Sequence, residues 1–204
     1  MGNMAIQRKA FGLHILNSSH PEIRQLKQEG HVAELHGNKF WNSSFLIMNY
    51  LKSNPLRKNT RVLEIGCGWG LLGIFCAKQF GARVTGVDAD KHVFPYLQLH
   101  AKLNGVNIET EQNSFERLTK SRLADFDLIL GSDVCFWDEM ADTLYNLVRR
   151  SKQAGVKQVI ISDPCRSPFT NLAERCKNKW QDTRTLPRRM SRPVKASGEL
   201  LIVE

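Results

Sequence analysis

Arg61-Val62-Leu63-Glu64-Ile65-Gly66-Cys67-Gly68-Trp69-Gly70-Leu71-Leu72-Gly73 is the stretch whose reading decides the fold. A short apolar, β-branched run ends in glycines, and an apolar helical pattern follows at once. That order predicts a buried strand, a tight turn and a helix N-terminus, where backbone N–H groups can approach a nucleotide-like ligand. Two frames fit the glycines. Gly68-x-Gly70-x-x-Gly73, with Asp88 twenty residues after Gly68, satisfies the dinucleotide fingerprint. Glu64-x-Gly66-x-Gly68-x-Gly70 instead puts an acid on the strand itself, and a lone glycine loop does not choose between them.

Outward from this stretch, strands and helices alternate. Strands are expected at 61–66, 83–88, 107–110, 126–131 and 157–162, with helices near 70–80, 91–103, 138–150 and 168–179. Such alternation implies βαβ units and a parallel sheet. Two tail strands, 181–185 and 199–204, are expected to form a closing hairpin across a long irregular 186–198 connection. Upstream, a helix is expected from Asn42 or Ser43 to Lys52 with Asn42 as N-cap, and a short one from Pro21 to Glu29. Residues 1–19 show no period and read as a loosely attached arm. The fold class is α/β: one doubly wound, Rossmann-like, mainly parallel seven-stranded sheet with an antiparallel last strand. We expect a single domain over 1–204, with 1–40 as arm and short helix and 41–204 as core.

Composition narrows the function. The 204 residues are 42% hydrophobic and 24% charged, and apolar runs are too short to span a membrane. The start lacks the apolar segment of a secretory signal, so a cytoplasmic protein is expected. Five cysteines (67, 76, 135, 165 and 176) follow no zinc spacing, and the histidines form no metal pair. Most cysteines should be core, and no metal is expected. Of the net charge of +9, the segment 166–195 carries nine basic and two acidic residues, or +7. Such a block suits an acidic protein face or RNA, or is simply a solvated surface.

In open α/β sheets ligands bind beyond the carboxyl ends of the strands. With Glu64-x-Gly66-x-Gly68-x-Gly70, Val87-Asp88, the Asp127-to-Asp133 strand and loop, and the terminal hairpin, the chain from Trp41 to Glu204 resembles class I (seven-β-strand) methyltransferases dependent on S-adenosylmethionine (SAM). Gly131-Ser132-Asp133-Val134-Cys135-Phe136, Lys39-Phe40-Trp41 and Ser162-Asp163-Pro164-x-Arg166 resemble the protein-lysine and nicotinamide N-methyltransferase-like group. Two positions depart from that group: Phe136 stands where it has Tyr, and Ser114-Phe115 where an acid and Trp are usual.

The resemblance implies cofactor contacts by Trp41, Glu64, Gly66, Cys67, Gly68, Gly70, Asp88, Ala89, Ser114, Phe115 and Ser132. Asp88 would accept the ribose hydroxyls, Phe115 would flank the adenine, and Glu64 would face the amino group. Asp133 and Phe136 are the candidate catalytic residues. Trp137 is either core or part of the substrate rim, and Arg166, Arg188, Arg189, Arg192 and Lys195 would surround the substrate mouth. The implied reaction is methyl transfer to a nitrogen, a protein lysine first. RNA, a small molecule, a non-catalytic SAM-binding module and, from the second glycine frame, a nicotinamide dehydrogenase are the alternatives.

Overall fold

A computed structural model describes residues 7–33, 37 and 39–204. Strands β1 (Gln7–Ala10) and β2 (Leu13–Leu16) precede helices α1 (Pro21–Gln28) and α2 (Ser44–Ser53). Then come β3 (Arg61–Ile65), α3 (Leu71–Phe80), β4 (Arg83–Asp88), α4 (Phe94–Asn104), β5 (Glu109–Gln112) and α5 (Lys120–Leu123). The chain continues through β6 (Leu128–Ser132), α6 (Asp138–Gln153), β7 (Gln158–Asp163), α7 (Ser167–Lys179), β8 (Thr183–Met190) and β9 (Ala196–Val203).

Seven strands form one sheet in the order β5-β4-β3-β6-β7-β9-β8. The pairs β5-β4, β4-β3, β3-β6 and β6-β7 are parallel, and β9 is antiparallel to both β7 and β8. The order reverses between β3 and β4 on one side and β6 on the other. That switch point leaves a crevice at the carboxyl ends of these strands.

The sheet is covered on both faces, as a parallel sheet must be. Alternation along β3 sends Val62 into one core with Phe45, Leu72 and Leu97, and Leu63 and Ile65 into the other with Leu144, Leu147 and Phe169. Helix α6 shows the pattern that makes a one-sided helix: Ala141, Leu144, Leu147 and Val148 are buried along one stripe. Helix α3 has a buried apolar run instead, because it lies between the sheet and its neighbours.

Four expectations change. The segment 1–19 is no loose arm where it is described: Gln7–Leu16 is an antiparallel hairpin whose Leu13 and Ile15 are fully buried. Its backbone is tied to α4, with Asn104 Oδ1 accepting from His14 N–H at 2.9 Å and Nδ2 donating to His14 O at 2.9 Å. The Leu16 N–H donates to His100 Nε2 at 3.2 Å. These partners lie 84 to 90 residues away, so no local period could reveal the docking. Second, Ser43 rather than Asn42 is the N-cap of α2, and the Asn42 amide donates to Lys195 O at 3.4 Å. Third, the tail strands are longer than read, and the irregular connection shrinks to residues 191–195. Arg188 and Arg189 are therefore strand residues, paired in register with Gly198 and Ser197. Strand β5 also starts two residues later than its expected position.

Candidate active site

The crevice holds a cavity of about 250 Å³ whose floor and walls come from the carboxyl ends of β3, β4 and β6. Gly66, Gly68, Asp88 and Ala89 form one side. Ser114, Phe115 and Glu116 form another, and Ser132, Asp133 and Val134 form a third. Trp41, Phe136, Trp137 and Met140 close the outer end, with Lys39 beside them. A small adjoining cavity of about 40 Å³ reaches Glu64, Cys67, Gly70 and Ser44 and shares Lys39, Trp41, Gly66, Gly68 and Ser132 with the larger one. All the cofactor positions inferred from sequence thus line one or other of these two neighbouring cavities.

The glycine loop owes its shape to sterics. Gly66 and Gly68 take φ of +58° and +51°, which side chains adopt only at a cost. A Cβ on Gly66 would meet Val134 Cγ1 at 2.7 Å, whereas one on Gly68 would meet nothing within 4 Å and would point into open space. Gly73, the third glycine of the dinucleotide frame, faces inward: a Cβ there would lie 2.6 Å from Glu64 Oε2. It makes room for the buried acid rather than for a ligand.

Glu64 is 3% exposed and accepts from Gly73 N–H at 2.9 Å. Burial pushes its pKa up to about 8, the Gly73 N–H opposing and the nearby Asp88 charge adding to the rise. Glu64 thus stands well above the usual carboxylate range beside the small cavity. Asp88 accepts from Gly68 N–H and Asp90 N–H, each at 3.0 Å. Burial raises its pKa as well, against these two hydrogen bonds. Asp90 caps the next helical turn by accepting from His92 N–H at 2.9 Å, as a better-placed cap than Asp88. Cys67 is buried, and burial with the Glu64 and Asp88 charges holds its thiol well above the usual range. It is a wall, not a nucleophile.

Asp133 sits at φ +53°, 5% exposed, immediately after β6. Its Oδ2 accepts from Ser43 N–H at 3.3 Å and its Oδ1 from Arg166 Nη1 at 3.0 Å. Arg166 also donates to Asp163 Oδ2 at 2.6 Å, and its guanidinium lies 4.4 Å over the Phe136 ring. Burial opposes the Arg166 charge, but the two carboxylates outweigh it and raise its pKa. Arg166 is therefore no free rim cation: it is committed between two buried acids, leaving that trio a formal charge of −1. The serine hydroxyl of Ser162 donates to Ser43 O at 2.9 Å, so α2, β6 and β7 meet at this point.

Aromatic rings line the mouth. Trp41 meets Phe136 edge-on at 5.7 Å, and Phe136 meets Trp137 at 5.8 Å. Trp137, open to a core role in the sequence, is 44% exposed. None of Arg188, Arg189 and Arg192 lines the cavity. Arg188 lies 5.7 Å over Tyr50 of α2, while Arg189 and Lys195 border a separate groove. Sequence reasoning missed Glu116, four residues past β5, and Met140 in the first turn of α6, neither of which belongs to a motif. It also missed Trp69, which stacks on Tyr96 at 5.3 Å and 6° and fixes the glycine loop against α4. Among the described residues no group of acids, histidines and cysteines could hold a metal, and no helix is long and apolar enough to cross a membrane.

These residues fit an adenosyl ligand with a cationic amino-acid arm: an apolar slot, a carboxylate on β4, an open glycine and a buried acid beside the smaller recess. The seven-stranded sheet with its antiparallel β9 is the fold of class I SAM-dependent methyltransferases, and residues 62–155, just under half of the chain, match the family model described as a methyltransferase domain. The cofactor of this family is SAM, and the dinucleotide frame is set aside.

Among curated relatives, a ubiquinone biosynthesis O-methyltransferase of Nitrosococcus oceani is 33% identical over 102 residues, 50% of this chain and 41% of that protein. The electron transfer flavoprotein beta subunit lysine methyltransferase of Rattus norvegicus is 29% identical over 136 residues, 64% of this chain and 51% of that one. The matches thus span about half the length of these relatives or less. A Pyrococcus abyssi tRNA (uracil-54, C5)-methyltransferase, solved with S-adenosyl-L-homocysteine, shares the fold at a TM-score of 0.65 and 19% identity. That superposition covers 97% of this chain and 43% of the other.

Proposed function

We propose that this chain transfers a methyl group from SAM to a nitrogen acceptor, the side-chain amine of a protein lysine. One observation carries the reading: among the described residues the main cavity is lined by three acids, Asp88, Glu116 and Asp133, against one base, Lys39, with aromatic rings at its outer end. An acid-lined, aromatic-walled slot suits a cationic, slender acceptor and disfavours a polyanion such as RNA. The lysine-modifying relative supports the same reading.

Bound there, SAM supplies a methyl group activated by a cationic sulfur. The chain's own residues do the rest. Gly68 would leave room for the cofactor's amino-acid arm, with Gly66 and Gly70 shaping the loop around it, and Glu64 would accept from its amino group. Asp88 would take the ribose hydroxyls, while Ala89, Ser114, Phe115 and Ser132 would flank the adenosyl portion. Cys67 and Trp41 would close the recess. Transfer is an in-line displacement, so alignment supplies most of the acceleration. Asp133, immobilised by Ser43 and Arg166, orients the acceptor amine and takes up its departing proton. Phe136 and Trp137 shape an apolar slot that holds the amine in line with the transferring methyl. The groove bordered by Arg189 and Lys195 would contact an acidic face of the substrate protein.

Label transfer from methyl-labelled SAM into a cell extract tests this reading. The expected result is a discrete band that survives nuclease, disappears with protease and yields methyllysine on hydrolysis. Label removed by nuclease, or found only in small molecules, refutes it.

A further inference from the structure

Lys39 is the one basic residue lining the main cavity among the described residues, and it lines the adjoining recess too. Its Nζ lies 4.3 Å from the centroid of the Trp41 ring, and Trp41 packs on Phe136. The chain thus sets its own primary amine on the aromatic wall at the outer end of the acid-lined cavity. Lys39 is only four residues from Ser43, which is held to Asp133 by its N–H and to Ser162 by its carbonyl. That anchor keeps the side chain near the site, and an amine tethered by so short a segment has an effective concentration on the order of millimolar.

We propose that Lys39 occupies the acceptor subsite and is itself a methylation site of this chain. The inference rests on the lysine reading given above. In the step, the neutral Lys39 amine forms an N–C bond with the methyl carbon as the methyl–sulfur bond breaks. The electron pair stays on sulfur, and the proton of the resulting ammonium passes by way of Asp133 to water. Methylation retains the charge of Lys39 and enlarges its head group, which strengthens its contact with Trp41. A substrate lysine must displace Lys39 from the ring, so the same contact makes Lys39 a competitor.

The test uses the full chain. Incubated with SAM, it should gain mass in steps of one methyl group, mapped by peptide sequencing to Lys39, at a rate independent of protein concentration. A second readout needs no turnover. With S-adenosylhomocysteine bound, n-butylammonium is titrated while tryptophan emission is followed, and Lys39→Ala should bind it at least threefold more tightly than the native chain. An unmodified Lys39, or an unchanged butylammonium affinity in Lys39→Ala, overturns the inference. If the same preparation still methylates lysine in the extract proteins, the lysine reading survives that failure; if no lysine is labelled anywhere, both fall.

Discussion

The buried acid on β3 makes a quantitative prediction about cofactor binding. Glu64 is held near a pKa of about 8 by burial, yet a ligand amino group beside it requires the carboxylate. Binding must then release a proton wherever Glu64 starts out neutral. For a ligand that needs the ionised form, apparent affinity is divided by one plus ten to the power of pKa minus pH. At pH 6.5 that factor is about 30 and at pH 7.5 about 4, so S-adenosylhomocysteine should bind about eightfold more tightly at the higher pH. Calorimetry in buffers of different ionisation enthalpy should count about one proton released per ligand at pH 6.5 and about a quarter of one at pH 8.5. Glu64→Gln should abolish both the proton release and the pH dependence. It should also bind about tenfold or more weakly at pH 8.5, having lost a charge-assisted contact. In the free protein the sign reverses. A raised folded pKa means that stability falls as pH rises from the ordinary carboxyl value through about 8. The melting temperature of Glu64→Gln relative to native should therefore increase over that range. An affinity flat between pH 6.5 and 8.5, with no proton release, refutes the assignment of Glu64 to the ligand's amino group.

Four further outcomes follow from the geometry. Gly68→Ala should fold, losing about 1–2 kcal/mol to its left-handed backbone, but bind S-adenosylhomocysteine at least tenfold more weakly because the new methyl enters the cavity. Gly66→Ala should lose more stability than Gly68→Ala, since its methyl meets Val134 at 2.7 Å; comparing the two melting curves checks this. Arg166→Met should cost about 3 kcal/mol, toward the lower end for a broken buried pair because the arginine side chain is 25% exposed. It leaves Asp133 and Asp163 uncompensated, and chemical denaturation measures the loss. His100 accepts the Leu16 N–H at Nε2, so it is neutral with its proton on Nδ1 toward Tyr96 O, and burial lowers its pKa. Its contribution is complete above its ordinary pKa of 6.5 and is lost as pH falls below that toward the lowered folded value. Hydrogen exchange at Leu16 should accelerate over that window, and His100→Gln should flatten the dependence.

Much of this protein could be read from the chain because its main signals are local. The glycine spacing after Arg61–Ile65 specifies a strand, a turn and a helix start, whatever surrounds them. Alternating apolar runs and helical periods then specify a parallel sheet, and the placement of ligand sites beyond the carboxyl ends of parallel strands puts Glu64, Asp88 and Asp133 on one edge. What remained hidden depends on partners distant in sequence. The hairpin at Gln7–Leu16 has almost no hydrophobic period of its own and is stabilised by His100 and Asn104 across some ninety positions. Arg166 looked like one more cation in a basic block until tertiary packing set it between Asp133 and Asp163. The length of β8 was likewise invisible, because its polar, Pro-containing edge reads as loop until β9 supplies its hydrogen bonds. Spacing along a chain fixes which backbone shapes are available. Whether a charge is solvated, paired or buried is decided only when segments far apart are packed together, since that sets its dielectric surroundings and its partners.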